Sequence, residues 1–248
     1  RGFKLSKGEF TGLDIAFKEG ADFLDDLHMF ATDQNKRLDA LNPSCGGSLG
    51  GGDFRWHAII PPMSPLPSLA VRRHRFDQLE ISDFGLRGEV LRDLQDAMSR
   101  DLPILVAGAT GSGKTSLLMA MLRSHSLKER VVVLEQFDEL PMLTPLWQKL
   151  LTVPSNRQGV GALGCAQIFS EALRIRPDRI VIGEIPREEA EVFLESLTAG
   201  HRGTWATIHA GDIEEVVTRL AYLTNRQASN KKIHIVMLGK KDLSGKSL

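Results

Sequence analysis

Residues 104 to 122 read ILVAGATGSGKTSLLMAML. An apolar run, Ile104 to Ala107, gives way to Gly108, Ala109, Thr110, Gly111, Ser112 and Gly113. Lys114, Thr115 and Ser116 follow, and then a run of leucine and methionine. Glycine loses more conformational freedom on folding than any other residue, so a glycine-rich joint between two apolar segments needs a reason. The spacing supplies one: Gly108, Gly113, Lys114 and Thr115 match G-x-x-x-x-G-K-[ST], the phosphate-binding P-loop. Glycines permit positive φ and remove the Cβ atoms that would block a phosphate. Successive N–H groups then point inward as an anion nest, and a helix starting near Lys114 adds its positive end. Lys114 supplies a mobile charge for the β- and γ-phosphates, and Thr115 an oxygen for Mg²⁺. The expected nucleotide-binding set is therefore Gly108 through Ser116, with ATP and Mg²⁺ as ligands.

Outward from this loop, strand and helix patterns alternate. PILVA (103–107) reads as a strand and Lys114 to Arg123 as a helix. VVVLE (131–135), RIVIGE (179–184) and TWATIHA (204–210) read as strands, and AQIFSEALRI (166–175) as a helix. Two further helices carry apolar residues at i, i+3, i+4, i+7: Ala190, Phe193, Leu194 and Leu197, then Ile213, Val216, Val217 and Leu220. Alternation of this kind predicts an α/β fold with a mainly parallel sheet, covered by helices on both faces. A helix over 88–98, with Leu91, Leu94 and Met98 on one face, precedes the first of these strands.

Residues 1–78 read as a small α+β domain. A helix is expected in GADFLDDLHMF (20–30), a glycine-rich turn in CGGSLGGGD (45–53), and strands in FRWHAII (54–60) and PSLAVRR (67–73). The prolines of PPMSPLP (61–67) mark a loop between those strands. Residues 79–101 form a linker and helix, and 102–248 the P-loop domain. The tail GKKDLSGKSL (239–248) reads as a solvated basic segment, so the chain after about Leu223 is expected to be short or partly disordered.

Composition narrows the function. The 248 residues suit one large domain or two small ones, and 42% apolar and 25% charged residues are ordinary for a globular protein. Lys plus Arg number 31 and Asp plus Glu 31, so no net field points to nucleic acid or an anionic membrane. Cys45 and Cys165 suggest neither a disulfide scaffold nor a metal spacing, and a reducing compartment is expected. No apolar run approaches the roughly 18–20 residues of a membrane span, and no signal-peptide pattern opens the chain. The first residue is Arg1, which is expected to mark a piece of something longer.

A P-loop binds a nucleotide, whereas hydrolysis needs groups that orient water and hold the metal. Glu135 and Glu184 end two of the predicted strands, and His209 ends a third. Ligands sit at strand C-termini in open α/β sheets, so both carboxylates can face the γ-phosphate. A strand-end Glu can equally be an ordinary loop residue. His209 there could donate a hydrogen bond to the γ-phosphate. No second histidine at a ligand spacing supports metal binding by it. The catalytic candidates are Glu184, Glu135, Lys114 and His209, with Thr115 and then Glu184 as metal candidates.

GATGSGKTS, LEQFDEL, ALRIRPDRIVIGE and TAGHRGTWATIHA, in this order and spacing, resemble the secretion ATPase superfamily of type II and type IV secretion systems. FRWHAIIPPMSP and LAVRR look like the N-terminal domain of its CpaF-like branch, which drives Flp/Tad pilus assembly. The likeness covers about residues 40 to 223. It implies a two-domain subunit of a homohexameric ring, with ATP between an N-terminal domain and a RecA-like P-loop domain. It also implies a cytoplasmic ATPase held at the inner membrane by a platform protein, with no sequence-specific nucleic acid as partner. By the same likeness Glu135 stands in the Asp box, Glu184 in an atypical Walker B segment and His209 in the His box. Arg55 and Arg72 match arginines that reach the phosphates, Arg174 and Arg176 a segment with structural or subunit-contact roles. Gln136 stands where the family usually has an acid, Arg202 likewise, and Pro186-Arg187 replace a usual Arg-Gly. The implied function is a motor for pilus assembly or protein secretion. The alternatives are a conjugation ATPase of a type IV system, a RecA-type nucleic-acid motor, or a nucleotide-binding scaffold without turnover.

Overall fold

The computed structural model describes residues 2–6, 9–13, 23–50, 54–73, 79–153, 160–185, 190–197, 203–224 and 233–239. They fall into two units, 1–74 and 75–240.

In the first unit, β1 (Gly2–Ser6) and β2 (Glu9–Leu13) form an antiparallel hairpin. Helix α1 (Phe23–Asp33) is followed by an antiparallel sheet of β3 (Ser44–Leu49), β4 (Phe54–Ile59) and β5 (Ser68–Arg73). Leu27 and Ala31 of α1 bury against Trp56 and Ala58, and the Phe30 ring meets the Trp56 ring edge-on with centroids 4.7 Å apart. Of the glycine-rich stretch expected to be a turn, 45–49 belong to strand β3, Gly50 has a left-handed φ of 64°, and 51–53 lie outside the described residues. The β3 glycines make room for Trp56: a Cβ on Gly47 would lie 3.2 Å from the indole nitrogen, and one on Gly46 2.8 Å from the Trp56 carbonyl. Small residues opposite a large one are what this sheet needs, so Gly46 and Gly47 serve packing and not reversal.

The second unit contains α2 (Gly88–Ser99), β6 (Ile104–Gly108), α3 (Lys114–His125), β7 (Val131–Glu135) and β8 (Gln148–Leu151). It continues with α4 (Cys165–Arg174), β9 (Arg179–Ile182), α5 (Ala190–Ser196), β10 (Thr204–His209), α6 (Ile213–Thr224) and β11 (His234–Leu238). The sheet order is β11-β6-β10-β9-β7-β8, and every neighbouring pair is parallel. The expected strands and helices all appear. Strands β6, β7 and β9 are buried throughout. Their residues alternate between two cores: Ile104, Val106, Val131 and Val133 pack with α2 and α3, and Leu105, Val132, Leu134 and Ile180 with α4 and α5. The α6 stripe is only partly used, since Val216 is buried while Ile213 and Val217 are exposed.

Two elements depart from expectation. Strand β8 lies on one edge of the sheet, and β11 on the other, beside β6. The chain after Leu223 therefore adds a strand to the sheet; of the basic tail, only Gly239 is among the described residues. The run IHIVML is β-branched and apolar, as a strand at a sheet edge should be.

The edge of the sheet at the strand N-termini is tied by a buried charge. Arg179 is fully buried and donates to Glu129 at 2.8 Å, to Asp101 at 2.7 Å and to the Ser126 hydroxyl at 3.1 Å. Its guanidinium lies 4.0 Å from the centre of the Trp205 ring. This links the turn before β6, the turn after α3 and the starts of β9 and β10.

Candidate functional site

The P-loop lies at the C-terminal end of β6, and its last glycine leads directly into α3. Gly111 and Gly113 have φ of 78° and 97°, the left-handed region in which a side chain is strained. Gly108 is required by closeness: a Cβ would lie 2.5 Å from the Ser112 oxygen and 2.7 Å from the Leu238 carbonyl. The Lys114 ammonium curls over the loop and donates to the Ala109 carbonyl at 3.1 Å. Its pKa is lowered by burial, and the nearby negative charge of Glu184 opposes that shift. The Ser112 hydroxyl is buried with no hydrogen-bond partner among the described residues. A buried donor without an acceptor costs free energy unless a ligand oxygen supplies one. The loop thus fits a phosphate: it presents an unsatisfied hydroxyl, a buried ammonium and the start of a helix. Thr115, in the first turn of α3, is half-buried and is the residue suited to hold a Mg²⁺ ion beside that phosphate.

The other candidates come from neighbouring strand tips. His209 is in register with Gly108, the first P-loop residue, and the next amide, of Ala210, donates to the Gly108 carbonyl at 3.3 Å. Strand β9 lies on the far side of β10, with Ile182 in register with Ala206. Beyond it the chain is pinned twice to β10. The Thr207 hydroxyl donates to the Gly183 carbonyl at 2.6 Å, and the Ile185 amide to the Thr207 carbonyl at 2.8 Å. Between these anchors Glu184 is exposed, and its charge acts on Lys114. Parallel pairing sends all these tips to one edge, so Lys114, Glu184 and His209 share the edge at which α/β sheets bind ligands.

Glu135 has a different environment. It is buried, and its two oxygens accept from the Leu140 amide at 3.1 Å and the Glu139 amide at 3.3 Å. Lys149 of β8 lies 3.4 Å from it and also contacts Asp138. Burial pushes the Glu135 pKa up to about 7 against the opposing charge of Lys149. Gln136, the departure beside it, is exposed.

Arg55 and Arg72 belong to the first unit. They are directly opposite one another on β4 and β5, on the sheet face away from Trp56 and Ala58. Arg174 pairs with Glu171 at 2.9 Å on the exposed side of α4, and Arg176 has a φ of 56° just beyond that helix. His201, Arg202, Pro186 and Arg187 lie outside the described residues.

Sequence reasoning missed two contributors. Lys149 sits in a strand too short and polar to register as one. Phe84 sits in a 3₁₀ turn, Ile81–Phe84, with its ring 3.2 Å from where a Gly113 Cβ would be. Arg123 of α3 donates to the Leu79 carbonyl at 3.2 Å, so this linker segment is fastened to the P-loop helix at both ends.

Comparison with known proteins agrees with this architecture. Residues 53–238 match the type II/IV secretion system protein family. A Mycobacterium tuberculosis chain that carries the name conjugal transfer protein is 35% identical over 198 residues, 76% of this chain and 56% of that one. The type IV secretion system protein VirB11 of Bartonella quintana is 33% identical over 117 residues, 47% of this chain and 33% of that one. These relatives carry conjugation and type IV secretion names and not those of the Flp/Tad pilus branch. The structure of the pilus retraction motor PilT with bound ADP superposes with a TM-score of 0.54 at 19% identity, over 76% of this chain and 53% of that one. The chain therefore spans little more than half the length of the first of these relatives. A P-loop edge of this composition, in this fold and with a family match over three quarters of its length, makes the chain a member of the type II/IV secretion system protein family.

Proposed function

We propose that the chain is the nucleotide-hydrolysing part of a type IV secretion motor of the conjugal-transfer kind, a cytoplasmic subunit that assembles into a homohexamer. Pilus assembly is the second reading, resting on the likeness of the N-terminal segments to the Flp/Tad branch. The observation that carries the proposal is the shared edge of the sheet: the P-loop with the buried ammonium of Lys114 follows β6, the exposed carboxylate of Glu184 follows β9 on the other side of β10, and the charge of that carboxylate acts on the ammonium.

In this reading the P-loop amides, the Ser112 hydroxyl and Lys114 hold the phosphates of ATP. Thr115 would hold Mg²⁺, which neutralises phosphate charge when bound. Glu184 orients a water for attack on the γ-phosphorus and accepts its proton as the bond to the β-γ bridging oxygen breaks. Its exposure leaves a carboxylate oxygen for that water. Glu135 is less suited to the task, because backbone amides and Lys149 already occupy both of its oxygens. His209 donates to a terminal phosphate oxygen.

Steady-state phosphate release together with nucleotide binding tests this. Lys114→Ala should abolish nucleotide binding. Glu184→Gln should keep the affinity within about twofold and reduce turnover by about 100-fold or more, the range for loss of a proton-transfer group. Normal turnover by Glu184→Gln removes the assignment, and ATP affinity without phosphate release in the unaltered protein leaves a scaffold. Hydrolysis that DNA stimulates strongly and salt abolishes would instead indicate a nucleic-acid motor.

A further inference from the structure

The reading above leaves Glu135 and its partners without a task, although they form the most enclosed ionic cluster on the ligand edge of the sheet. Lys149 is in register with Val133, two residues before Glu135. Successive side chains alternate faces, so Lys149 and Glu135 project from the same face of the sheet. The lysine side chain is 12% exposed and that of Glu135 4%. The ammonium reaches Glu135 at 3.4 Å and contacts Asp138 of the loop that follows. Glu135 in turn holds that loop through the Glu139 and Leu140 amides. Its other flank rests on Gly183: a Cβ there would lie 2.9 Å from the Glu135 Cγ and 3.0 Å from its Oε1. Gly183 is the residue immediately before Glu184. Lys149, Glu135, Gly183 and Glu184 are thus joined by direct contact or by the chain.

We propose that Lys149 is a positioning residue for the nucleotide site: with Asp138 it clamps the Glu135 carboxylate against Gly183 and so fixes the backbone that carries Glu184. This rests on the hydrolase reading above. The clamp requires charged Glu135, because the two amides and the ammonium all donate to it. Among the described residues the carboxylate meets Lys149 from β8 and the Leu140 amide, which lower its pKa, Asp138 from the following loop, which raises it, the Glu139 amide, and the uncharged Gly183 from the β9 tip. Burial is the largest influence and leaves Glu135 titrating at about 7. Removing Lys149 should therefore raise the pH at which Glu135 ionises, and removing the Asp138 charge should lower it.

The test measures kcat and KM from pH 5.5 to 9 in the assembled protein, for the unaltered chain, Lys149→Met, Lys149→Arg and Asp138→Asn. Lys149→Met is expected to reduce kcat about tenfold at pH 7, keep KM within about twofold, and move the acid limb of kcat upward by about one pH unit, a tenfold change in proton affinity. Lys149→Arg should recover most of the rate. Asp138→Asn, at a half-buried position, should move the limb downward and serves if Lys149→Met does not fold. A pH profile in Lys149→Met or Asp138→Asn that superposes on that of the unaltered chain overturns the proposal while leaving the hydrolase reading intact. No turnover in the unaltered chain at any pH removes that reading and this one with it.

Discussion

A buried acid that titrates near neutrality changes how the protein responds to pH. Burial raises Glu135 from an ordinary 4.5 to about 7, so between those values the folded protein holds a proton that the unfolded chain has released. Stability then falls as pH rises through that window, by on the order of 3 kcal/mol in total. It is fully present below about pH 4.5 and fully lost above about 7. Glu135→Gln cannot ionise, so its unfolding free energy in urea should be flatter than that of the unaltered chain between pH 5 and 7.5. Parallel curves for the two proteins would show that Glu135 titrates normally. At this scale the sequence was informative where chemistry follows spacing. The P-loop residues and the acids and histidine at strand ends were legible because a motif and a strand end specify place. What was not legible was environment: nothing in LEQFDEL tells that Glu135 is enclosed, since that depends on Lys149 and Gly183, which lie outside the segment.

At the scale of elements, several segments meet around Arg179 at the N-terminal edge of the sheet. A fully buried guanidinium pairs with two carboxylates and lies over Trp205, joining the starts of β9 and β10 to the turns before β6 and after α3. Arg179→Met keeps the volume and removes the charge, leaving Asp101 and Glu129 facing one another. Loss of one partner from a buried pair costs about 3–5 kcal/mol, so the urea midpoint should drop substantially with little change in slope. A loss under about 1 kcal/mol would show that water reaches the two acids. The main helices and strands were legible from periodicity, because β-branched runs between amphipathic segments leave few alternatives. Strands β3 and β8 were not. Glycine in β3 is chosen by the Trp56 ring across the ladder, and QKLL in β8 is short, half-exposed and without alternation.

At the scale of the whole molecule, the parallel sheet was legible and its order was not, since adjacency along the chain does not fix adjacency in space. The proposed hexamer is a property of many copies. In the presence of a non-hydrolysable ATP analogue and Mg²⁺, sedimentation should give a species of six times the 27.4 kDa of one chain. A single-chain mass at every nucleotide concentration would count against that assembly. Balanced charge predicts that added DNA leaves that mass unchanged.

The strand formed by His234–Leu238 has a consequence for the order of events during synthesis. It supplies one of the two neighbours of the strand leading into Gly108, although more than a hundred residues of chain separate them. A ribosome that has made every catalytic candidate named above has still not made this neighbour. The nascent protein must therefore keep a half-paired strand beside its nucleotide grip until residue 238 emerges, and proteases or chaperones that read exposed β-edges have that interval in which to act.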